Sequence, residues 1–224
     1  MQNINEYIEH TNLKPTVTYE SIETLVEEAV IHNFIGICVP PYWAKKARRD
    51  LGKAPVQLVT VVGFPFGYQR AEVKMQEIES ALKEGVNELD IVINISAIKC
   101  NAYAWIKQEM AWFSQVIHAE EAMMKVILET AYLNDHEIRE ASKVCVDAGV
   151  DFMKTSTGYA PEGAKVEHIR LLRDILPDTV GIKASGGIRS YEKAQEMIIA
   201  GADRIGTSSG IKIVEEALTK DVKS

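Results

Sequence analysis

The chain has 224 residues, 46% of them hydrophobic and 25% charged, the proportions of an ordinary water-soluble globular protein. Its formal net charge is −7, with acidic and basic residues interspersed, which argues against a nucleic-acid or anionic-membrane surface. No apolar run approaches the roughly 18 residues that suggest a membrane span.

Short β-branched runs alternate with longer amphipathic segments along the whole chain. Strands are expected at Tyr7–Thr11, Ile35–Val39, Gln57–Val62, Glu88–Ile93, Lys125–Glu129, Asp151–Thr155, Val180–Lys183 and Arg204–Gly206. Most read as nearly continuous apolar stretches, as parallel strands do when both faces are covered. The first helical pattern has Ile22, Leu25, Val26, Ala29 and Val30 on one face, with glutamates filling much of the other. Similar patterns run over about 71–84, 103–120, 135–148, 164–175, 190–200 and 211–220.

Three segments echo one another: Glu84-Gly-Val-Asn-Glu-Leu-Asp-Ile91, Ala148-Gly-Val-Asp-Phe-Met-Lys-Thr155 and Ala200-Gly-Ala-Asp-Arg-Ile-Gly-Thr207. In each, a glycine follows a helix and precedes a strand, where a left-handed residue commonly ends the helix. The echoes lie about two βα units apart, and counting units at that spacing gives eight. The expected fold is a single (β/α)8 barrel spanning residues 1–224 as one domain. An open doubly wound sheet usually carries a G-x-G-x-x-G turn after its first strand, and none is present.

In such a barrel the chemistry lies at the C-terminal ends of the strands. Lys154 and Lys183 end the expected sixth and seventh strands, and Asp90 lies inside the fourth, where an unpaired carboxylate is costly to bury. Each alone reads best as a strand-end charge or a structural ion pair. Together they have the makings of a reactive site: a lysine beside a second cation becomes nucleophilic towards carbonyls, and an aspartate can move the protons. Gly/Ser loops follow strands six, seven and eight, at Thr155-Ser-Thr-Gly158, Ala184-Ser-Gly-Gly187 and Gly206-Thr-Ser-Ser-Gly210. Their small residues let backbone N–H groups approach a phosphate. The five histidines are scattered and Cys38, Cys100 and Cys145 form no C-x-x-C, so no metal site and no disulfide framework is expected. The opening Met1-Gln-Asn-Ile-Asn-Glu-Tyr7 lacks the basic and apolar regions of a signal peptide, and a cytoplasmic location is expected.

The sequence resembles the deoxyribose-phosphate aldolase family over nearly its whole length. The resemblance is carried by Ile8-Glu-His-Thr-Asn-Leu-Lys-Pro15, Val62-Gly-Phe-Pro-Phe-Gly67, Glu88-Leu-Asp-Ile-Val-Ile-Asn94, Lys125-Val-Ile-Leu-Glu-Thr130, Phe152-Met-Lys-Thr-Ser-Thr-Gly158 and Gly181-Ile-Lys-Ala-Ser-Gly-Gly-Ile-Arg189. Gly36-Ile-Cys-Val-Pro40 and Arg204-Ile-Gly-Thr-Ser-Ser209 add to it. It implies a cofactor-free aldolase that cleaves 2-deoxy-D-ribose 5-phosphate to D-glyceraldehyde 3-phosphate and acetaldehyde. In that resemblance Lys154 is the Schiff-base lysine, Lys183 its pKa-lowering partner and Asp90 the proton-relay acid. The substrate and phosphate set would be Glu9, Thr11, Cys38, Thr155, Gly158, Gly186, Gly187, Ser208 and Ser209, in a homo-dimer or homo-tetramer. For Cys38 the plainer reading is a small buried core residue.

Three features depart from the family, one of them Asn12, which stands where a leucine is common. Glu9 stands where an aspartate is usual, and its extra methylene changes the carboxylate's reach towards Lys183. Some members end in a tyrosine that shuttles protons, whereas the last tyrosine here is Tyr191 and the chain ends Asp221-Val-Lys-Ser224, which leaves that step to a bound water. Two rival readings are another Schiff-base aldolase of the same fold and an inactive phosphate-binding barrel.

Overall fold

The computed structural model describes residues 3–221. Eight parallel strands close into a barrel in sequence order: β1 (Ile8–Thr11), β2 (Gly36–Val39), β3 (Gln57–Val62), β4 (Glu88–Val92), β5 (Met123–Ile127), β6 (Phe152–Lys154), β7 (Gly181–Ser185) and β8 (Arg204–Thr207). Closure is made by β1 against β8, with Glu9 opposite Gly206. Helices α1 (Tyr19–Ile31), α2 (Ala44–Leu51), α3 (Ala71–Lys83), α4 (Ile95–Lys99), α5 (Tyr103–Ala119), α6 (Asp135–Asp147), α7 (Val166–Ile175) and α8 (Tyr191–Ile199) lie between them, and α9 (Gly210–Asp221) follows β8.

Local sequence explains the helix ends. Thr18 and Ser21 form a reciprocal capping box at the start of α1, and Asn134 and Glu137 do the same for α6. α1 buries Ile22, Leu25, Val26 and Ala29, the stripe expected from its 3.6-residue period. The three echoed glycines, Gly85, Gly149 and Gly201, all have positive φ (80°, 88° and 113°), as a turn from helix to strand requires.

Most strand ends agree with the sequence reading to within one residue, and β5 and β7 depart from it by two. β5 begins two residues earlier than expected and stops at Ile127, because Glu129 takes a left-handed conformation (φ 54°, ψ 63°) that cannot continue a strand. β7 continues past Lys183 to Ser185, so Lys183 lies within the strand rather than at its end. α2 and α4 were not anticipated. α2 presents only Ala44, Ala47 and Leu51 to the core among lysines and arginines, and α4 is five residues long.

Alternation along the strands separates two interiors. Leu89 and Ile91 of β4 join the large apolar layer between sheet and helices, while Glu88 and Asp90 face the barrel axis. The axis itself is divided. Cys38, Val59 and Val61 from β2 and β3, with Leu13 and Phe64 packed on them, form a small apolar sector. The opposite sector is built from charged side chains of β1, β4, β5, β6 and β7.

Candidate active site

Six buried ionisable groups occupy that charged sector: the carboxylates of Glu9, Glu88 and Asp90, and the ammonium groups of Lys125, Lys154 and Lys183, none more than 3% exposed. The sheet places them. Lys154 and Lys183 are register partners on β6 and β7, and Asp90 and Lys125 are partners on β4 and β5. Lys183 reaches across the interior because β8 carries Gly206 beside it, where a Cβ would stand 2.9 Å from Lys183 Cε.

Asp90 is the centre of the cluster. Its Oδ2 accepts from Lys154 Nζ at 2.7 Å and from Lys183 Nζ at 2.6 Å, while Oδ1 faces Lys125 Nζ at 3.2 Å. Glu9 divides its oxygens in the same way, Oε2 bonding Lys183 and Oε1 lying 3.5 Å from Lys125 and 3.9 Å from Arg204 Nε. The longer arm of Glu9 thus joins the cluster. Lys125 also bonds Glu88, lower in the barrel.

Burial alone would push Asp90 towards its neutral form, yet Lys125, Lys154 and Lys183 outweigh it and hold the carboxyl well below the usual range. Burial likewise opposes the charge on Glu9, and Lys125 and Lys183 override it. For Lys183, burial favours loss of the proton, but Asp90 and Glu9 hold it on, so its pKa rises. Lys125 is raised for the same reason, by Asp90, Glu9 and Glu88. The result is a carboxylate that stays ionised and a lysine that stays protonated, side by side. Each group keeps the charge that its partners stabilise, as in a buried ion pair.

Above the cluster a cavity of about 250 Å³ opens at the C-terminal ends of the strands. Lys154 is the cluster lysine that lines it, together with Thr11, Gly158, Gly186, Gly187 and Ser208 from the expected set. Gly186 and Gly187 have φ of 89° and 76°, so both need glycine's conformational freedom. Lys14 and Arg189 add exposed cations to the lining. A larger groove of about 730 Å³, next to it and bordered by α1 and α9, contains none of the three lysines.

The remaining expected residues lie elsewhere. Asp90, Lys183 and Glu9 sit beneath the cavity. Thr155 is fully buried and spends its hydroxyl on Ser185, donating to the C=O and accepting from the N–H, both at 3.1 Å. Ser209 borders the larger groove, and its N–H already donates to Thr207 Oγ1 at 2.9 Å. Cys38 belongs to the apolar sector, where burial pushes its thiol up to about 11, so it is no ready nucleophile.

Lys125 was missed among the candidate residues. The signal was available, since Met124-Lys-Val126 buries a charge in an apolar strand just as Leu89-Asp-Ile91 does. Among the described residues no group of three or more His, Cys, Asp and Glu side chains is placed to hold a metal ion. No helix among them is long and apolar enough to cross a membrane.

Comparison with known proteins agrees with this geometry. Residues 3–216 match the family described as DeoC/LacD family aldolase. The deoxyribose-phosphate aldolase of Thermococcus gammatolerans is 48% identical over 216 residues, covering 96% of each chain. A solved aldolase, QR15, superposes with a TM-score of 0.93 at 42% identity over 100% of this chain and 99% of its own. The tetrameric deoxyribose phosphate aldolase of Aeropyrum pernix superposes with a TM-score of 0.91 at 32% identity, over 97% of this chain and 92% of its own. With its lysine-lined cavity at the mouth of a closed parallel barrel, the chain belongs to the DeoC/LacD family of aldolases.

Proposed function

We propose that this protein is a class I deoxyribose-phosphate aldolase, reversibly cleaving 2-deoxy-D-ribose 5-phosphate through a Schiff base on Lys154. The observation that carries the reading is the position of Lys154: it alone of the three clustered lysines lines the cavity, and it shares Asp90 with a second, protonated lysine. The name of the Thermococcus gammatolerans relative supports the substrate.

The chemistry follows from the groups present. The Lys154 amine attacks the C1 aldehyde of the open-chain sugar, and the resulting carbinolamine loses water to give an iminium. Asp90 and Lys183, as base and acid, move the protons of these steps. The C3 hydroxyl then gives up its proton as the C2–C3 bond breaks. The bonding electrons pass to C2 and into the iminium, leaving an enamine on Lys154 and releasing D-glyceraldehyde 3-phosphate. Protonation of the enamine at C2 and hydrolysis of the iminium release acetaldehyde and restore the amine. The iminium is itself the electron sink, so no metal is called for in this reading.

The phosphate would lie against the glycine-rich turn at Gly186 and Gly187 and the start of the β8–α9 loop at Ser208, with Gly158 opposite and Lys14 and Arg189 adding positive charge. The protein would act as a single-domain subunit of a homo-oligomer in the cytoplasm, an assembly supported by the tetrameric Aeropyrum pernix relative.

Borohydride trapping tests the central claim. Acetaldehyde with borohydride should add an ethyl group to Lys154, found by peptide mapping. A label on Lys183, or no label at all, overturns the assignment.

A further inference from the structure

Glu129 is a buried carboxylate that the mechanism above does not use. It stands just past β5, after Leu128, whose N–H donates to the Lys154 C=O at 2.9 Å. Its backbone is held at φ 54°, a conformation a non-glycine residue adopts only when its surroundings enforce it. Its side chain is 2% exposed, and among the described residues no cation comes within ion-pairing distance of it. Burial raises its pKa against the influence of Thr157 and Lys154.

What holds this carboxylate is one residue of the loop that leaves Lys154. Thr157 donates its N–H to Oε1 and Oε2 at 3.2 and 3.3 Å, and its hydroxyl to Oε2. The same hydroxyl accepts from the Tyr159 N–H at 3.0 Å, and Tyr159 Oη donates to the Leu13 C=O at 2.9 Å, on the opposite wall of the cavity. The Phe64 ring meets the Tyr159 ring edge-on at 5.5 Å. The loop therefore has two pins. Thr155 is fastened to Ser185 of β7, and Thr157 to Glu129.

Gly158 and Tyr159 follow the second pin directly, and both line the cavity. We propose that Glu129 is a positioning residue, acting through Thr157 to hold Gly158 and Tyr159 in place against the phosphate end of the substrate. The proposal rests on the aldolase reading for its substrate, but the pin itself is a property of the loop.

Glu129→Gln keeps the size and removes one strong acceptor. Losing a hydrogen bond to a charged group should raise KM for deoxyribose 5-phosphate about tenfold, with kcat within about threefold. Unphosphorylated deoxyribose should be turned over as by the wild type, since it makes no phosphate contact. Amide hydrogen exchange should quicken in a peptide covering 155–159 and stay unchanged in the strands. Thr157→Ser should behave as wild type, and Thr157→Val should reproduce the Glu129→Gln pattern even if that variant folds poorly. Equal losses on both substrates, or unchanged exchange in 155–159, would overturn the proposal. A wild-type protein that fails to cleave deoxyribose 5-phosphate would instead refute the aldolase reading, and the exchange comparison would still decide the pin.

Discussion

Lys154 and Lys183 donate to one and the same atom, Oδ2 of Asp90, at 2.7 and 2.6 Å. Lys183 also bonds Glu9, while the other oxygen of Asp90 faces Lys125, so three lysines share these two carboxylates. Of the two lysines on Oδ2, Lys154 lines the cavity and is the one a substrate can reach. Lys183, bonded to two carboxylates and closed off from solvent, keeps its proton.

Lys183→Leu removes a positive charge beside the Lys154 amine and leaves Asp90 Oδ2 to Lys154. The acidic limb of the pH–rate profile should move to higher pH by the reasoning of like-charge repulsion. At pH 7 the rate should fall by orders of magnitude and recover in part at alkaline pH. Steady-state rates across pH check this, and a wild-type rate at neutral pH would show Lys183 to be structural only.

Lys125 should matter to stability at least as much as to rate. It contacts Glu88, Asp90 and Glu9, so Lys125→Met leaves three buried carboxylates short of one counter-charge. Breaking a buried pair on one side costs about 3–5 kcal/mol. Urea unfolding should register that loss, and pairing the change with Glu88→Gln should return much of it, because the lower carboxylate then needs no partner. A single variant within about 1 kcal/mol of wild type would mean that water reaches the cluster.

The same cluster sets a pH window for stability. Asp90 and Glu9 have folded pKa values below their unfolded ones, so their contribution is present above about pH 4 and is lost as pH falls through the folded values. Lys183 and Lys125 are raised, so theirs is present below about pH 10.4 and is lost as pH rises through the folded values. Unfolding free energy should thus be flat through neutrality and fall at both extremes. The Asp90→Asn variant should show a shallower acid slope than wild type in the same titration, and an identical slope would mean that Asp90 does not contribute.

Much of this was legible in the sequence because it is local. The glycines at 85, 149 and 201 marked helix-to-strand turns by their context, and all three have the expected positive φ. The buried charge of Asp90 stood out against the apolar residues around it. What stayed hidden depends on partners distant in the chain. The role of Lys125 follows from its register opposite Asp90 and from the way Glu9 folds back over it, neither of which a strand reveals alone. The end of β5 was misplaced because Glu129 reads as a strand residue until Thr157, 28 positions later, captures its carboxylate. Of the adjacent serines, only Ser208 lines the cavity with Lys154, because Thr207 Oγ1 claims the N–H of Ser209 and closes the turn between them.

That last distinction can be tested apart from the covalent chemistry. Ser208 is exposed where the β8–α9 loop meets the cavity, whereas Lys154 stands at the end of β6. Contacts to a phosphate there should hold substrate and transition state about equally, and losing such uniform binding raises KM while leaving kcat largely intact. Ser208→Glu would place a carboxylate beside Gly187 and offset the charge of Arg189, repelling a phosphate. With deoxyribose 5-phosphate, KM should rise by about tenfold or more, a cost typical of losing a charge-assisted contact. With unphosphorylated deoxyribose the rate should be unchanged or slightly higher, since nothing is repelled. Ser209→Glu, directed into the neighbouring groove, should change KM far less. If the two substitutions acted alike, or if both substrates suffered equally from Ser208→Glu, the phosphate would have to bind elsewhere on the barrel.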